Sequence, residues 1–269
     1  MKTRVISGAV LAVIAILALS LGGWFLFGIC AIISLIGMYE LYRVSGIEKS
    51  SVAVAGYITA GIYYLSIALN ISDYDIFIFV LGFMVIMTIY VFTFPKYKSE
   101  QVIMAFVGIF YVALMLSYIY RVRIAADGIY IVWLIFVCSW GNDTFAYFTG
   151  VLFGKHKMTS KLSPKKTVEG AIGGVAGATV LGAVYGAIIS PYMSGIVTQP
   201  VLVFAIASFI GAFLAIVGDL TASAIKRNYN IKDYGNLIPG HGGILDRFDS
   251  VIFTAPAVYW AVYIITKFL

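Results

Sequence analysis

Residues 200–249 read PVLVFAIASFIGAFLAIVGDLTASAIKRNYNIKDYGNLIPGHGGILDRFD, and the change of character within this stretch decides the fold. From Pro200 to Gly218 no residue is charged. An apolar helix of this length crosses a hydrocarbon layer about 30 Å thick. Asp219 then opens a charged segment containing Lys226, Arg227, Lys232, Asp233, Asp246, Arg247 and Asp249. Ile238-Pro239-Gly240-His241-Gly242-Gly243 cannot remain regular helix, because proline lacks a donor and the glycines permit tight turns. The stretch therefore reads as a membrane span, a polar loop and the start of another span.

The rest of the chain has the same grammar. Of its 269 residues, 62% are hydrophobic and 11% charged, against about 25% charged in a soluble domain. Apolar segments fall at about 5–21, 24–42, 51–69, 75–94, 101–120, 129–150, 170–190, 200–225 and 250–268. Backbone groups in lipid must be satisfied within each segment, so each is predicted helical. Continuous apolar runs exclude the alternating strands of an outer-membrane barrel. The expected class is an all-α, polytopic integral membrane protein of about nine transmembrane helices. With the N-terminus cytoplasmic, only Arg121, Arg123 and Lys267 of the 18 Lys and Arg residues lie outside, as the positive-inside rule requires. The net charge of +6 therefore reports topology, and no nucleic-acid partner is expected. Residues 5–21 are longer than a signal-peptide core and no small-x-small site follows, so they read as an uncleaved first span. A cell inner membrane is the expected location. Residues 1–128 are expected to form an N-terminal membrane region without motifs, and 129–269 a second membrane region that carries the candidate site residues.

Several residues have plain readings. Glu40 and Arg43 read as a snorkelling interfacial pair. Tyr39, Tyr42, Tyr57, Tyr63 and Tyr64 read as interface belt or core, and Asp73 and Asp75 as solvated loop charges. Cys30 and Cys138 are isolated in apolar runs and read as buried small hydrophobes. In the seventh span, Gly170 and Gly174, Gly173 and Gly177, and Gly182 and Gly186 are each four apart. This spacing lets helices approach closely and leaves room for a homodimer.

Four acids need a reason. Asp143 lies inside the sixth span, Asp219 near the inner end of the eighth, and Asp246 and Asp249 where the ninth begins. A carboxylate at membrane depth costs about 3 kcal/mol on insertion scales and normally faces a cavity, a partner or a metal. If the eighth span stays helical, Asp219, Ser223 and Lys226 share a face at i, i+4 and i+7. Carboxylates and cations beside a glycine turn, with a helix start following, suggest a metal–phosphate site. His241 has no second histidine at ligand spacing and is expected to bind phosphate or organise the loop. His156 reads as plain surface. Lys161-Leu-Ser-Pro-Lys165-Lys166-Thr167-Val-Glu169-Gly170 reads equally well as a basic headgroup loop or as part of the site, with Glu169 placed to meet a helix N-terminus.

The pattern S-x-x-K-R-x-x-x-x-K-D-x-G-x-x-[I/L]-P-G-H-G-G-[I/L]-x-D-R-x-D, from Ser223 to Asp249, resembles the C-terminal signature of the phosphatidate cytidylyltransferases, the CDP-diacylglycerol synthases. Asn142-Asp143-Thr144 with Tyr147, and Ser163-Pro164-Lys165-Lys166-Thr167, look like family segments too. The resemblance implies a polytopic fold and a reaction of CTP with phosphatidate that yields CDP-diacylglycerol and pyrophosphate. It implies Mg²⁺, with room for a second cation. Asp219 and Asp246 are the candidate cation ligands, with Asp249 and Asp143 nearby. Lys226, Arg227, Lys232 and Arg247 would contact phosphates, with Ser223, Gly242 and Gly243, and Lys165 and Lys166 would complete the basic wall. His241 would shape the loop. Two other readings stay open: a CTP-dependent transferase or kinase acting on another lipid, and an ion-coupled transporter whose acids line a midplane path.

Overall fold

The computed structural model describes residues 2–159 and 161–268, with side chains from residue 6 onward. Within these residues the chain forms nine helical rods. They are α1 Lys2–Leu21, α2 Gly23–Val44, α3 Ser51–Ala68, α4 Asp75–Phe92, α5 Ser99–Ile124, α6 Gly128–Phe153, α7 Val168–Ile189, α8 Pro200–Asn228 and α9 Leu245–Phe268. Eight of them, α2 to α9, are long and apolar enough to cross a membrane. The apolar stretch of α1, Ile6–Leu21, is shorter. Among the described residues the one pair of strands is a small antiparallel hairpin, β1 Lys157–Thr159 and β2 Ser163–Thr167, which gives the basic stretch regular structure.

Local chemistry sets the boundaries. Ser50 accepts from Ala53 N (3.2 Å) and caps α3, and Thr167 accepts from Gly170 N (3.1 Å) and caps α7. Pro200 occupies the first turn of α8, where its missing N–H has no cost. The main boundary difference concerns α9, which begins at Leu245 rather than near 250 and so draws Asp246 into its first turn. Two rods contain a π turn, at Gly108–Leu114 in α5 and Val137–Gly141 in α6. Such turns are often found at functional sites, and the second ends immediately before Asn142 and Asp143.

The glycine-spaced faces of α7 are filled within the chain. A Cβ at Gly170 would stand 2.8 Å from Ala146 O on α6, and one at Gly186 would stand 2.7 Å from Pro200 O on α8. These contacts are the close helix approaches that the spacing predicts. A homodimer would therefore need some other face. The tyrosines fall mostly in the core and carry partners: Tyr42 Oη donates to Ala105 O (2.5 Å), and Tyr63 and Tyr64 Oη pair with Ser117 and Ser34 (both 2.7 Å).

Asp75 is not a solvated loop charge. It forms an ion pair with Arg121 and accepts from Ser66 Oγ (2.7 Å), while the Arg121 guanidinium lies 5.7 Å from the Tyr63 ring centre. The pair is partly buried because the start of α4 packs against α3 and α5, where an isolated charge would be costly.

α8 spans 29 residues, about 43 Å of helix, so the loop before it and the loop after it lie at opposite faces. Ser194, in the loop before α8, donates from N and Oγ to the carboxylate of Asp127 (2.9 and 2.8 Å). Cys30 and Cys138 are buried. A single Ser194→Cys reporter is therefore expected to react with a membrane-impermeant maleimide from outside intact cells. Labelling seen only after permeabilisation would reverse the orientation.

Candidate active site

The loop between α8 and α9 is folded tightly upon itself. Ile238 N donates to Gly242 O and His241 N to Ile238 O, both at 2.9 Å. Gly240 and Gly242 take φ of 79° and 84°, the left-handed region that glycine enters without strain. Asp246 locks this turn. Its Oδ2 accepts from Tyr234 N (2.7 Å) and Gly243 N (3.0 Å), and its Oδ1 meets Lys226 Nζ at 2.8 Å. Lys226 Nζ also lies 5.4 Å from the Tyr234 ring centre. Burial raises the pKa of the Tyr234 phenol, which donates to Ala222 O (3.1 Å) as a neutral group.

A second buried carboxylate lies beneath the same loop. Glu40, at the end of α2 and 3% exposed, accepts from Ile244 N at Oε1 (3.0 Å) and from Leu245 N at Oε2 (2.9 Å). These are two of the orphan donors at the start of α9, where a negative charge is favoured. Arg43, one turn on, donates to Tyr234 O (2.5 Å). The interfacial pair read from the sequence is therefore a brace: both residues grip a loop some 200 positions away rather than each other. The available signal was an acid within an apolar span, which marks a need for a partner without naming one.

Gly243 donates its N–H to Asp246, and a Cβ on Gly242 would stand 2.8 Å from Asp246 Oδ2. These glycines thus let the carboxylates approach the backbone, which takes Gly243 N–H away from the phosphate contact expected of it. Asp246 is likewise hydrogen-bonded at both oxygens, so it locks the loop.

All four acids border a cavity of about 470 Å³ bounded by α1, α2, α6, α8 and α9. Asp143, Asp219, Asp246 and Asp249 line it, together with His241 and Arg247. A second cavity, about 380 Å³, lies against the hairpin and is bordered by Asn142, Asp143, Ser163, Lys165, Lys166 and Thr167. Asp143 belongs to both, and an ion pair from Lys166 to Asp219 bridges them. Asn142 is buried, and among the described residues its Oδ1 has no hydrogen-bond partner. α8 remains helical to Asn228, so Asp219, Ser223 and Lys226 do share a face.

Other expected site residues stand further out. Arg227 is exposed and reaches Ile231 O (3.5 Å), and Lys232 is exposed. His241 Nδ1 pairs with Ser7 Oγ of α1 (2.9 Å), which also donates to Pro239 O (3.0 Å). His156 is at the surface, as expected, but it has a partner: its Nδ1 meets Glu169 Oε1 (2.6 Å), and Glu169 also accepts from the backbone N–H of Lys155 and His156, tying the hairpin to α7.

Among the described residues, no three His, Cys, Asp or Glu side chains converge closely enough to enclose a metal ion. The donor set still suits a hard cation, because Asp143, Asp219 and Asp249 offer carboxylate oxygens to one cavity. Mg²⁺ commonly takes one or two carboxylates and completes its shell with substrate phosphates and water.

The sequence matches the cytidylyltransferase family over residues 2–265. It is 32% identical to the phosphatidate cytidylyltransferase of Bacillus subtilis over 97% of either chain. It is 30% identical to that of Synechocystis over 99% of this chain and 98% of the relative. Identity to the Thermotoga maritima protein of the same name is 36%, over 61% of this chain and 60% of the relative.

Glu40→Ala leaves two buried N–H groups without acceptors, at about 1–3 kcal/mol each. It is expected to lower the unfolding temperature in detergent and to reduce turnover, while Glu40→Gln, which keeps one acceptor, falls between. An unchanged unfolding temperature and turnover in Glu40→Ala would remove the brace from the site.

Proposed function

The chain belongs to the cytidylyltransferase family, and from that premise we propose how its site converts CTP and phosphatidate to CDP-diacylglycerol and pyrophosphate. A phosphatidate oxygen attacks the α-phosphorus of CTP, a new P–O–P linkage forms, the α–β bond breaks, and pyrophosphate leaves. The lipid phosphate is already an anion near neutral pH, so no dedicated general base is needed. The obstacle is charge: an anion must approach a triphosphate. Positioning and charge neutralisation therefore carry the catalysis.

The observation that supports this reading is the pair of cavities joined at Asp143 and at the Lys166–Asp219 ion pair. The cavity at the hairpin presents Lys165 and Lys166 to phosphates. The other presents Arg247 beside the carboxylates. Asp246, Lys226 and Glu40 hold the connecting loop so that these groups keep their places. Asp143, Asp219 and Asp249 would hold Mg²⁺, with space for a second cation. When bound, the ion neutralises phosphate oxygens and eases the departure of pyrophosphate. CTP enters from the cytoplasm at an inner membrane, and the lipid enters sideways between helices. A carrier would distribute its acids along a path through the midplane, whereas these gather at one end of α8 and α9.

Purified protein given CTP, Mg²⁺ and phosphatidate is expected to release pyrophosphate and CDP-lipid in equal amounts, and chelation of the metal to stop it. Asp219→Asn and Asp249→Asn, each normally inserted, are expected to lower kcat by about 100-fold or more. Near-wild-type, Mg²⁺-dependent turnover in both variants would overturn the cation assignment.

A further inference from the structure

α1 carries no motif, yet it forms one wall of the carboxylate-bearing cavity. Gly8, Leu11, Ala12 and Ala15 line that wall, and Ile29 and Ile33 of α2 line it too. The α1 positions are i, i+3, i+4 and i+7, a single helical face. Packing along α1 is uneven. At its far end Ala18 and Leu19 are buried, and Arg123 donates to Leu19 O (2.8 Å) and Ser20 O (3.2 Å). Toward the loop, Gly8, Leu11, Ala12 and Ala15 are only half-buried, because the helix stands away from its neighbours there. Ser7 spans that end, holding Pro239 O and the His241 ring. α1 is thus clamped to the bundle at one end and attached to the catalytic loop at the other, with a gap between.

The gap has a polar end and an apolar body. Asp143, Asp219 and Asp249 stand at one end, and the α1 and α2 walls offer hydrocarbon alone. Cytosine, ribose and phosphates would lose hydrogen bonds to water against such walls without replacing them. Hydrocarbon chains lose nothing there. We propose that this gap is the acyl-chain subsite for phosphatidate, and that the small residues Ala12 and Ala15 set the chain width it admits. The assignment rests on the function proposed above. It makes α1 the specificity-determining element and places the lipid phosphate at the end where the acids and Arg247 lie. Gly8, beside His241 (3.6 Å from its Cε1 to a Cβ), marks where the apolar wall meets the polar end.

The test is a chain-length series with Ala12→Leu and Ala15→Leu, read as apparent KM for phosphatidate at fixed detergent and as KM for CTP. Filling the gap should raise the KM for long-chain phosphatidate by about tenfold or more. The KM for a short-chain phosphatidate and for CTP should change little. Val13→Phe, on the exposed face of α1, should leave all three near wild type. Two independent positions keep the test open if one variant fails to insert. An equal rise for short and long chains, a rise confined to CTP, or no change would each overturn the subsite. A wild-type protein that makes no CDP-lipid would instead overturn the functional reading itself.

Discussion

Glu40 and Asp246 place two carboxylates beneath one loop, and the active end of the molecule depends on them. Five hydrogen bonds and ion-pair contacts converge there: Ile244 and Leu245 N–H on Glu40, and Tyr234 N–H, Gly243 N–H and Lys226 Nζ on Asp246. Hydrogen bonds to charged groups contribute about 1.5–3 kcal/mol each, and more is lost when one partner is removed from a buried set. Removing a charge from water is costly, so the arrangement is stable only because each oxygen is satisfied. That requirement explains the glycines. A side chain at Gly235 or Gly243 would collide with Glu40, and one at Gly242 with Asp246. The Gly-rich signature is therefore written by the space that two buried carboxylates need.

The sequence revealed the parts of this arrangement that are local. Apolar length predicted the helices, and the spacing of Asp219, Ser223 and Lys226 predicted a shared face that α8 provides. The charge anomaly of residues 223–249 pointed to the loop beside the cavity that holds the acids. What escaped is what joins distant positions. Glu40 and Arg43 are three apart in sequence, so a local reading paired them with each other. Their real partners, at residues 234, 244 and 245, become neighbours only when α2 packs beside α9. Asp75 misled for the same reason, since its partner Arg121 lies on another helix. Asp246 was legible as a buried acid but not as a fully satisfied one, because its partners are backbone N–H groups that no sequence motif records.

The first two helices are bound into the site as closely as the later ones. α2 braces the loop, α1 touches it through Ser7, and both wall the cavity. A boundary near residue 128 divides the chain by where motifs occur. The site is divided otherwise: residues that present charge come from 129 onward, and residues that hold and enclose it come from both halves. Motif-bearing residues touch what reacts. Enclosing residues need only size and polarity, which many side chains supply, so they leave no short pattern.

The acids then separate by what satisfies them. Glu40 and Asp246 have both oxygens hydrogen-bonded by the chain's own donors. Asp143 and Asp249 face open space, and Asp219 has Lys166. Three carboxylates around one cavity repel, and Lys166 and Arg247 offset only part of that charge in a setting where water screens weakly. The cavity is thus electrostatically incomplete, while the loop beside it is held by its own hydrogen bonds. That contrast is what a charge-neutralising transferase requires. The scaffold must not move when the ligands' charges arrive, and the open acids must gain from them. In the proposed reaction, a hard cation bound by these acids would offset their charge and that of the incoming phosphates together.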